Sequence, residues 1–258
     1  MSNITILGAY GAKSDKGGTS AFFLNTKHVL DAGNLMQPLH EKSADIETIW
    51  LTHSHLDHIS DIAYILDNYY EQRTKTLKLR GLAKTLETLQ KHFFNNEIWP
   101  DFSKIPLHNT EGMSLVYEPL DIGEVYNIAE GSTIEAFLTD HTVASCGYII
   151  SKSKKSILIS ADTYSLETVV HAVDKHKGLE TLVLECSFPS SMDALAKASK
   201  HLTAKLLFSR LELLEGRALK LYINHLKPSY EDVISKEISQ YKGKWDVTIL
   251  KDGDKIYF

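Results

Sequence analysis

The sequence predicts an α+β fold, a four-layer αββα sandwich with two sheets face to face and helices outside. Three observations predict it. Strand-like runs outnumber what a simple alternating βα fold needs, and helical runs recur at intervals in both halves. No Ser/Gly-rich or charge-block linker divides the 258 residues, of which 43% are hydrophobic. That length and apolar content suit one large core. The expected organisation is a single domain over 1–258, with two similar halves at about 1–130 and 131–258.

In chain order, "ITILGAY", "SAFFLN" and "HVLDAG" read as strands, with the Gly- and Lys-rich loop "GAKSDKGG" between the first two. "IETIWLT" is a further short strand. "ISDIAYILDNYY" carries apolar residues at 59, 62, 65, 66 and 69, which is helical spacing, and a second helix is expected over 82–94. In the second half, "STIEAFLTDH", "CGYIIS" and "SILISAD" are consecutive strands, with "KSKK" as the turn between the last two. Helices are expected over 165–176, around 191–200 and over 203–215. "TLVLECS" and "LKLYINH" are strands, and "SYEDVISKEISQY" is helical. "DVTILKDGDKIYF" is expected to close the chain as a hairpin around Asp-Gly.

Composition excludes several classes. Net charge is -5, and the short basic stretches at 152–155 and 242–244 read as turn tips, so bulk nucleic acid is not an expected partner. There is no apolar run of eighteen residues and no charged-then-apolar leader, so the expectation is a cytoplasmic protein with no membrane partner. The two cysteines, Cys146 and Cys186, lie in strand-like apolar runs and read as buried free thiols.

"WLTHSHLDHISD" at 50–61 carries the chemistry. Residues i and i+2 of a strand end point the same way, so His53 and His55 can converge on one point. Asp57 and His58 follow in the turn into a helix and can face a second point nearby. The alternative is a polar loop whose Asp57 caps the helix. Neutral imidazole and carboxylate are good ligands for zinc or similar divalent ions. Four such groups cannot complete two metal shells, and the remainder must come from other strand ends. His141 after "AFLTD", Asp162 after "ILISA" and His225 after "LYIN" qualify. Singly, Asp162 could cap the helix after it, and the two histidines could be ordinary half-buried ones.

"THSHLDH", followed by these three single ligands in this order, resembles the metallo-β-lactamase superfamily across nearly the whole chain. "LDAG" at 30–33 is similar to that superfamily's second motif, in which the Asp supports the metal loop. The resemblance implies the metallo-β-lactamase fold and two divalent ions, zinc first, with manganese or iron accepted by the same donors. It implies that His53, His55 and His141 hold one ion, that Asp57, His58 and His225 hold the other, and that Asp162 bridges them. A final ligand that is His225, with no Cys ligand, points toward phosphodiester hydrolases.

Two metals about 3.5–4 Å apart suit in-line displacement at phosphorus. The leaving oxygen still benefits from a proton donor. Glu185 in "LVLECSFP" and His201 in "ASKHLTAKL" can supply it, because a buried carboxylate raises the pKa of a paired imidazole and orients it. The bland alternatives are a strand-end surface residue and a histidine at a helix end. "ECSF", "KHLT" and "NHLKP" together are similar to the class II cyclic-nucleotide phosphodiesterases. That resemblance implies hydrolysis of 3′,5′-cyclic nucleotides (cAMP or cGMP) to 5′-monophosphates. A metal-bridging hydroxide is the implied nucleophile, His201 the general acid, and Asp57, His201 and Glu185 the catalytic candidates. "HFFNNEIWPDFSKI" at 92–105 resembles the family's insert, where Phe93, Phe94 or Trp99 could stack on a purine or simply fill core. Ser60 departs from the pattern, which usually has Gly there. A homodimer is implied only by analogy with the superfamily. Other readings are an RNA-processing endonuclease of the tRNA 3′-processing type, a thioester or lactone hydrolase on the same scaffold, and a non-catalytic sensor.

Overall fold

The computed structural model describes residues 3–129 and 131–258, so residue 130, at the expected boundary between halves, lies outside the described residues. The first sheet contains β1 (Asn3–Gly8), β2 (Ala21–Asn25), β3 (His28–Leu30), β4 (Thr48–Trp50), β5 (Leu77–Gly81) and β6 (Leu115–Pro119). β14 (Lys255–Tyr257) joins it beside β1, giving the order β14-β1-β2-β3-β4-β5-β6. The second sheet contains β7 (Val125–Ala129), β8 (Ser132–Leu138), β9 (Cys146–Lys152), β10 (Lys155–Ile159), β11 (Leu179–Glu185), β12 (Lys220–Asn224) and β13 (Val247–Ile249), in reverse sequence order. Both sheets use the same pairing scheme. Antiparallel pairs run from the β14 or β7 edge to β3 or β10, and parallel pairs continue to β6 or β13.

The layers follow from which faces are apolar. Against the first sheet lie α1 (Met36–Leu39), α2 (Leu56–Asn68) and α3 (Ala83–His92), which with Ile49, Leu51, Leu77 and Leu79 form one core layer. Against the second lie α4 (Glu167–Lys175), α6 (Ala204–Leu211) and α7 (Glu231–Tyr241), packed on Leu158, Leu182, Leu184, Leu221 and Ile223, while α5 (Asp193–Ser199) leads into the loop before α6. Between the sheets lies a third layer that includes Ile4, Phe22, Trp50, Tyr148, Ile157 and Val183. Each such side chain contributes roughly 1.5–3 kcal/mol on burial. The central parallel strands are covered on both faces, which is why "TLVLE" and "LYIN" are near-continuous apolar runs. Tyr148 also pins one sheet to the other, since its hydroxyl donates to the Leu51 carbonyl at 2.7 Å.

The structure departs from the sequence reading in three respects. β5, β6 and β7 are strands that no strong apolar run announced: β5 alternates buried and half-exposed positions, and β6 and β7 bury one residue each. The short helix α1 follows "LDAG". The expected closing hairpin is wrong. β13 pairs in parallel with β12 in the second sheet, and β14 pairs antiparallel with β1 in the first. Each three-residue strand extends an existing sheet edge, which puts Leu250, just after β13, and Ile256 of β14 into the apolar layer between the sheets. The Asp-Gly turn is real, with Gly253 at a φ of 90°, but it carries the chain across the sandwich. The Asp252 carboxylate accepts from the amides of Ala9 at 2.9 Å and Gly18 at 2.7 Å.

The ends of the chain are thereby tied to the loop after β1. Asp252→Ala is expected to cost about 1–3 kcal/mol, because it strands two amides that need an acceptor. Urea denaturation followed by tryptophan fluorescence checks this, and an unchanged midpoint would show the tie to be dispensable.

Candidate metal centre

The chemistry-bearing residues gather at one edge of the sandwich, beyond the carboxyl ends of the parallel strands. His53 follows β4, Asp162 follows β10, Glu185 ends β11 and His225 follows β12. His55 is the N-cap residue of α2, and Asp57 and His58 occupy its first turn. Three strand ends and the C-cap of α5 are kinked to aim the next groups. Asp31 (φ 57°), Ala161 (φ 55°), Lys200 (φ 53°) and His225 (φ 63°) all adopt left-handed backbone. Such conformations are costly for non-glycine residues and cluster at functional sites.

The ligand atoms of His53, His55, His141 and Asp162 lie within 4.8 Å of one another, as do those of Asp57, His58 and His225. Asp162 stands between the groups. Its Oδ2 is 3.7 Å from His53 Nε2, 3.8 Å from His141 Nε2 and 3.5 Å from His58 Nε2, while Oδ1 is 3.3 Å from His225 Nε2. His225 Nε2 is also 3.4 Å from Asp57 Oδ2. The sequence-derived alternatives do not hold. Asp57 makes no capping bond in α2, and Asp162 precedes the first residue of α4 by five positions. Cys146 is buried core, with burial pushing its thiol up to about 12.

Groups behind the imidazoles fix which nitrogen faces inward. Asp31 Oδ2 holds His58 Nδ1 at 2.7 Å, and Thr52 Oγ1 lies 3.0 Å from His53 Nδ1. The Lys200 carbonyl holds His141 Nδ1 at 3.1 Å, and Ser187 Oγ lies 3.0 Å from His225 Nδ1. Asp31 also accepts from the Thr52 amide at 2.9 Å, which locks the loop that carries His53 and His55. This matches the supporting role expected of the Asp in "LDAG". Two close approaches need glycine. A Cβ on Gly33 would meet the Asp57 carbonyl at 2.0 Å, and one on Gly11 would meet the His225 ring at 2.6 Å. Ser60 causes no conflict, since its hydroxyl donates to the Gly33 carbonyl at 3.2 Å.

The electrostatics suit a cation. Burial, with the neighbouring imidazoles, holds His53 well below the ordinary imidazole value, and burial lowers His55 and His141 as well. These rings are neutral, the form that ligates metal. Burial also pulls on His58, but Asp162, Asp31 and Asp57 outweigh it and raise that ring well above its usual value. Burial would raise Asp162, yet His225, His58 and His53 keep its carboxyl well below the carboxylate range. Buried His53 Nε2 and Asp162 Oδ1 have no hydrogen-bond partner among the described residues. Orphaned atoms of this kind, inside a set of six nitrogen and carboxylate donors around a bridging carboxylate, fit divalent ions.

Glu185 and His201 meet beside this cluster. His201 Nδ1 is 2.9 Å from Glu185 Oε1 and 3.9 Å from Asp162 Oδ2. Both are buried, which removes the surface alternative for Glu185; His201 does follow the C-cap of α5, with its amide donating to the Ala196 carbonyl at 2.8 Å, but its ring is turned to Glu185. Burial lowers the His201 pKa, but the Glu185 charge and hydrogen bond exceed that effect and the net shift is upward. The insert aromatics are core. Phe94 is buried, Phe93 and Trp99 pack on the first sheet's helix-side core, and Trp99 lies against Tyr64. Sequence reading missed Thr52, Ser187 and Lys200. Ser187 carried a signal, two positions after Glu185 on the same strand end. Lys200 carried none, because it acts through its carbonyl.

A family model described as class-II cAMP phosphodiesterases matches residues 17–232. The chain is 39% identical over 74 residues, 28% of its length, to 3′,5′-cyclic-nucleotide phosphodiesterase 1 of Saccharomyces cerevisiae. The matched segments cover 20%, 48% and 58% of the lengths of three curated relatives. Among solved structures, unliganded yeast PDE1 aligns over 100% of both chains with a TM-score of 0.83 at 22% identity. The metallo-β-lactamase fold protein YhfI of Bacillus subtilis aligns over 98% of both with a TM-score of 0.75 at 19% identity. The fold is that of the metallo-β-lactamases, as expected from the motif order.

Zn²⁺ at a hundredfold excess over its Kd is expected to stabilise chelator-stripped protein by about 2.7 kcal/mol. Asp31→Asn is expected to weaken ion binding by ~10–100-fold, since a supporting partner of His58 is lost. Thermal unfolding and chelator competition check both, and indifference to the ion would remove the metal reading.

Proposed function

The chain belongs to the class-II cAMP phosphodiesterase family, and from that membership we propose that it hydrolyses 3′,5′-cyclic nucleotides to 5′-monophosphates. The observation that carries this reading is the buried Glu185–His201 pair beside the Asp162 cluster. Lactone or thioester hydrolysis does not require a second, carboxylate-backed histidine. Cleavage of a 3′ ester does, because its leaving alkoxide needs a proton.

His53, His55 and His141 are proposed to hold one divalent ion and Asp57, His58 and His225 the other, with Asp162 shared. The imidazole-rich set suits zinc, and manganese or iron accept the same donors. Ions held there supply Lewis acidity to the phosphoryl oxygens and lower the pKa of coordinated water. Asp57 would serve both as a ligand and as a catalytic carboxylate beside His58 and His225. Glu185 Oε1 accepts from His201 Nδ1, which leaves Nε2 as the nitrogen that hands a proton to the 3′ oxygen. The Glu185 charge and hydrogen bond shift the His201 pKa upward, which favours the proton-bearing form. Glu185 is itself held by the Thr163 amide at 3.1 Å and the Ser187 hydroxyl at 2.8 Å.

Zinc- or manganese-loaded protein is expected to convert cAMP, cGMP or both to 5′-monophosphates, assayed beside a precursor tRNA. Turnover of the RNA alone would overturn the reading. His201→Ala is expected to slow cAMP hydrolysis ~10²–10⁴-fold. It should slow bis(p-nitrophenyl) phosphate far less, because nitrophenolate leaves without a proton.

A further inference from the structure

We infer that Ser187 is a positioning residue whose buried hydroxyl ties the His225 imidazole to the Glu185–His201 pair. The inference rests on the reading of His225 as a ligand and His201 as the acid. Ser187 is fully buried, at 0% exposure. Its backbone is pinned from both sides, as its amide donates to the Leu202 carbonyl at 3.0 Å and its carbonyl accepts from the Lys227 amide at 3.2 Å. The hydroxyl therefore has a fixed position where β11, the His201 loop and the end of β12 meet.

A hydroxyl has one proton and two lone pairs. Two acceptors are in reach of the proton, Glu185 Oε2 at 2.8 Å and the His225 carbonyl at 3.2 Å. The carboxylate is nearer and charged, so it takes the proton. The lone pairs then face two ring nitrogens, His225 Nδ1 at 3.0 Å and His201 Nδ1 at 3.2 Å. His201 Nδ1 already has Glu185 Oε1 at 2.9 Å. His225 Nδ1 has only the Ser187 hydroxyl among the described residues. A proton on that nitrogen keeps the lone pair on Nε2, which faces Asp162 and Asp57.

One hydroxyl thus sets the tautomer of a ligand and supplies a donor to the carboxylate that orients the acid. Removing it leaves a buried N–H without an acceptor and a buried carboxylate oxygen without this donor. Ligand and acid are expected to loosen together, and the two effects have separate readouts.

The test uses the full chain with Ser187→Ala and with Ser187→Thr, which retains the hydroxyl. Zn²⁺ affinity is measured by chelator competition without substrate, and turnover is measured on cAMP and bis(p-nitrophenyl) phosphate at saturating ion. Ser187→Ala is expected to weaken one of the two ions by ~10–100-fold. It should also slow cAMP at least tenfold more than the nitrophenyl diester, and Ser187→Thr should recover both. In a His201→Ala background, the added loss on cAMP should fall below threefold. A loss confined to one readout, or none in either, overturns the tie. Failure of the cyclic-nucleotide reading shows separately, as native protein inert on cAMP. The acid arm is then read on a dinucleotide, whose alkoxide leaving group also needs a proton.

Discussion

A carboxylate at 2% exposure, Asp162, stands among the imidazoles of His53, His58, His141 and His225, and the rest of the site is arranged around it. A buried charge is costly unless it is compensated. Here the compensation comes from those four imidazoles, delivered by three segments that follow strands and one helix start. Once that carboxylate is placed, the imidazoles have to turn their Nε2 or Nδ1 atoms toward it. Their outer nitrogens then need partners, which Asp31, Thr52, Ser187 and the Lys200 carbonyl provide.

This requirement explains why the local backbone is strained where it is. Asp31, Ala161, Lys200 and His225 are held in left-handed conformations next to, or at, the groups they aim. Two seven-stranded sheets with covered faces supply the rigidity that holds such conformations. The Tyr148–Leu51 bond and the Asp252 turn link one sheet to the other close to the site-bearing segments. The same scaffold buries Glu185 beside His201, next to the cluster around Asp162.

Much of the site was legible because ligand-type residues at strand ends are rare and chemically conspicuous. "THSHLDH" placed four donors within six positions, and His141, Asp162 and His225 each closed an apolar run. Glu185 and His201 were legible through their family-like context, and the structure puts them 2.9 Å apart. The sequence pattern was weaker wherever identity does not imply direction. β5 to β7 are five-residue strands with too few apolar positions to announce themselves, and a two-strand pattern around Asp-Gly looks the same whether the strands pair or part.

By itself, the sequence determined the residue types of the cluster, their order along the chain and the αββα layering, because these depend on periodicity and donor chemistry. Only the tertiary structure decided where the last strand goes, which is across to β1 rather than back onto β13. It alone also decided which groups stand behind the imidazoles. Thr52 and the Lys200 carbonyl are ordinary polar groups that nothing in the sequence marks, and Ser187 is marked only by its place two positions after Glu185. They matter because folding brings each within hydrogen-bond distance of one ring nitrogen, and that proximity is a property of the packed sheets rather than of any local segment.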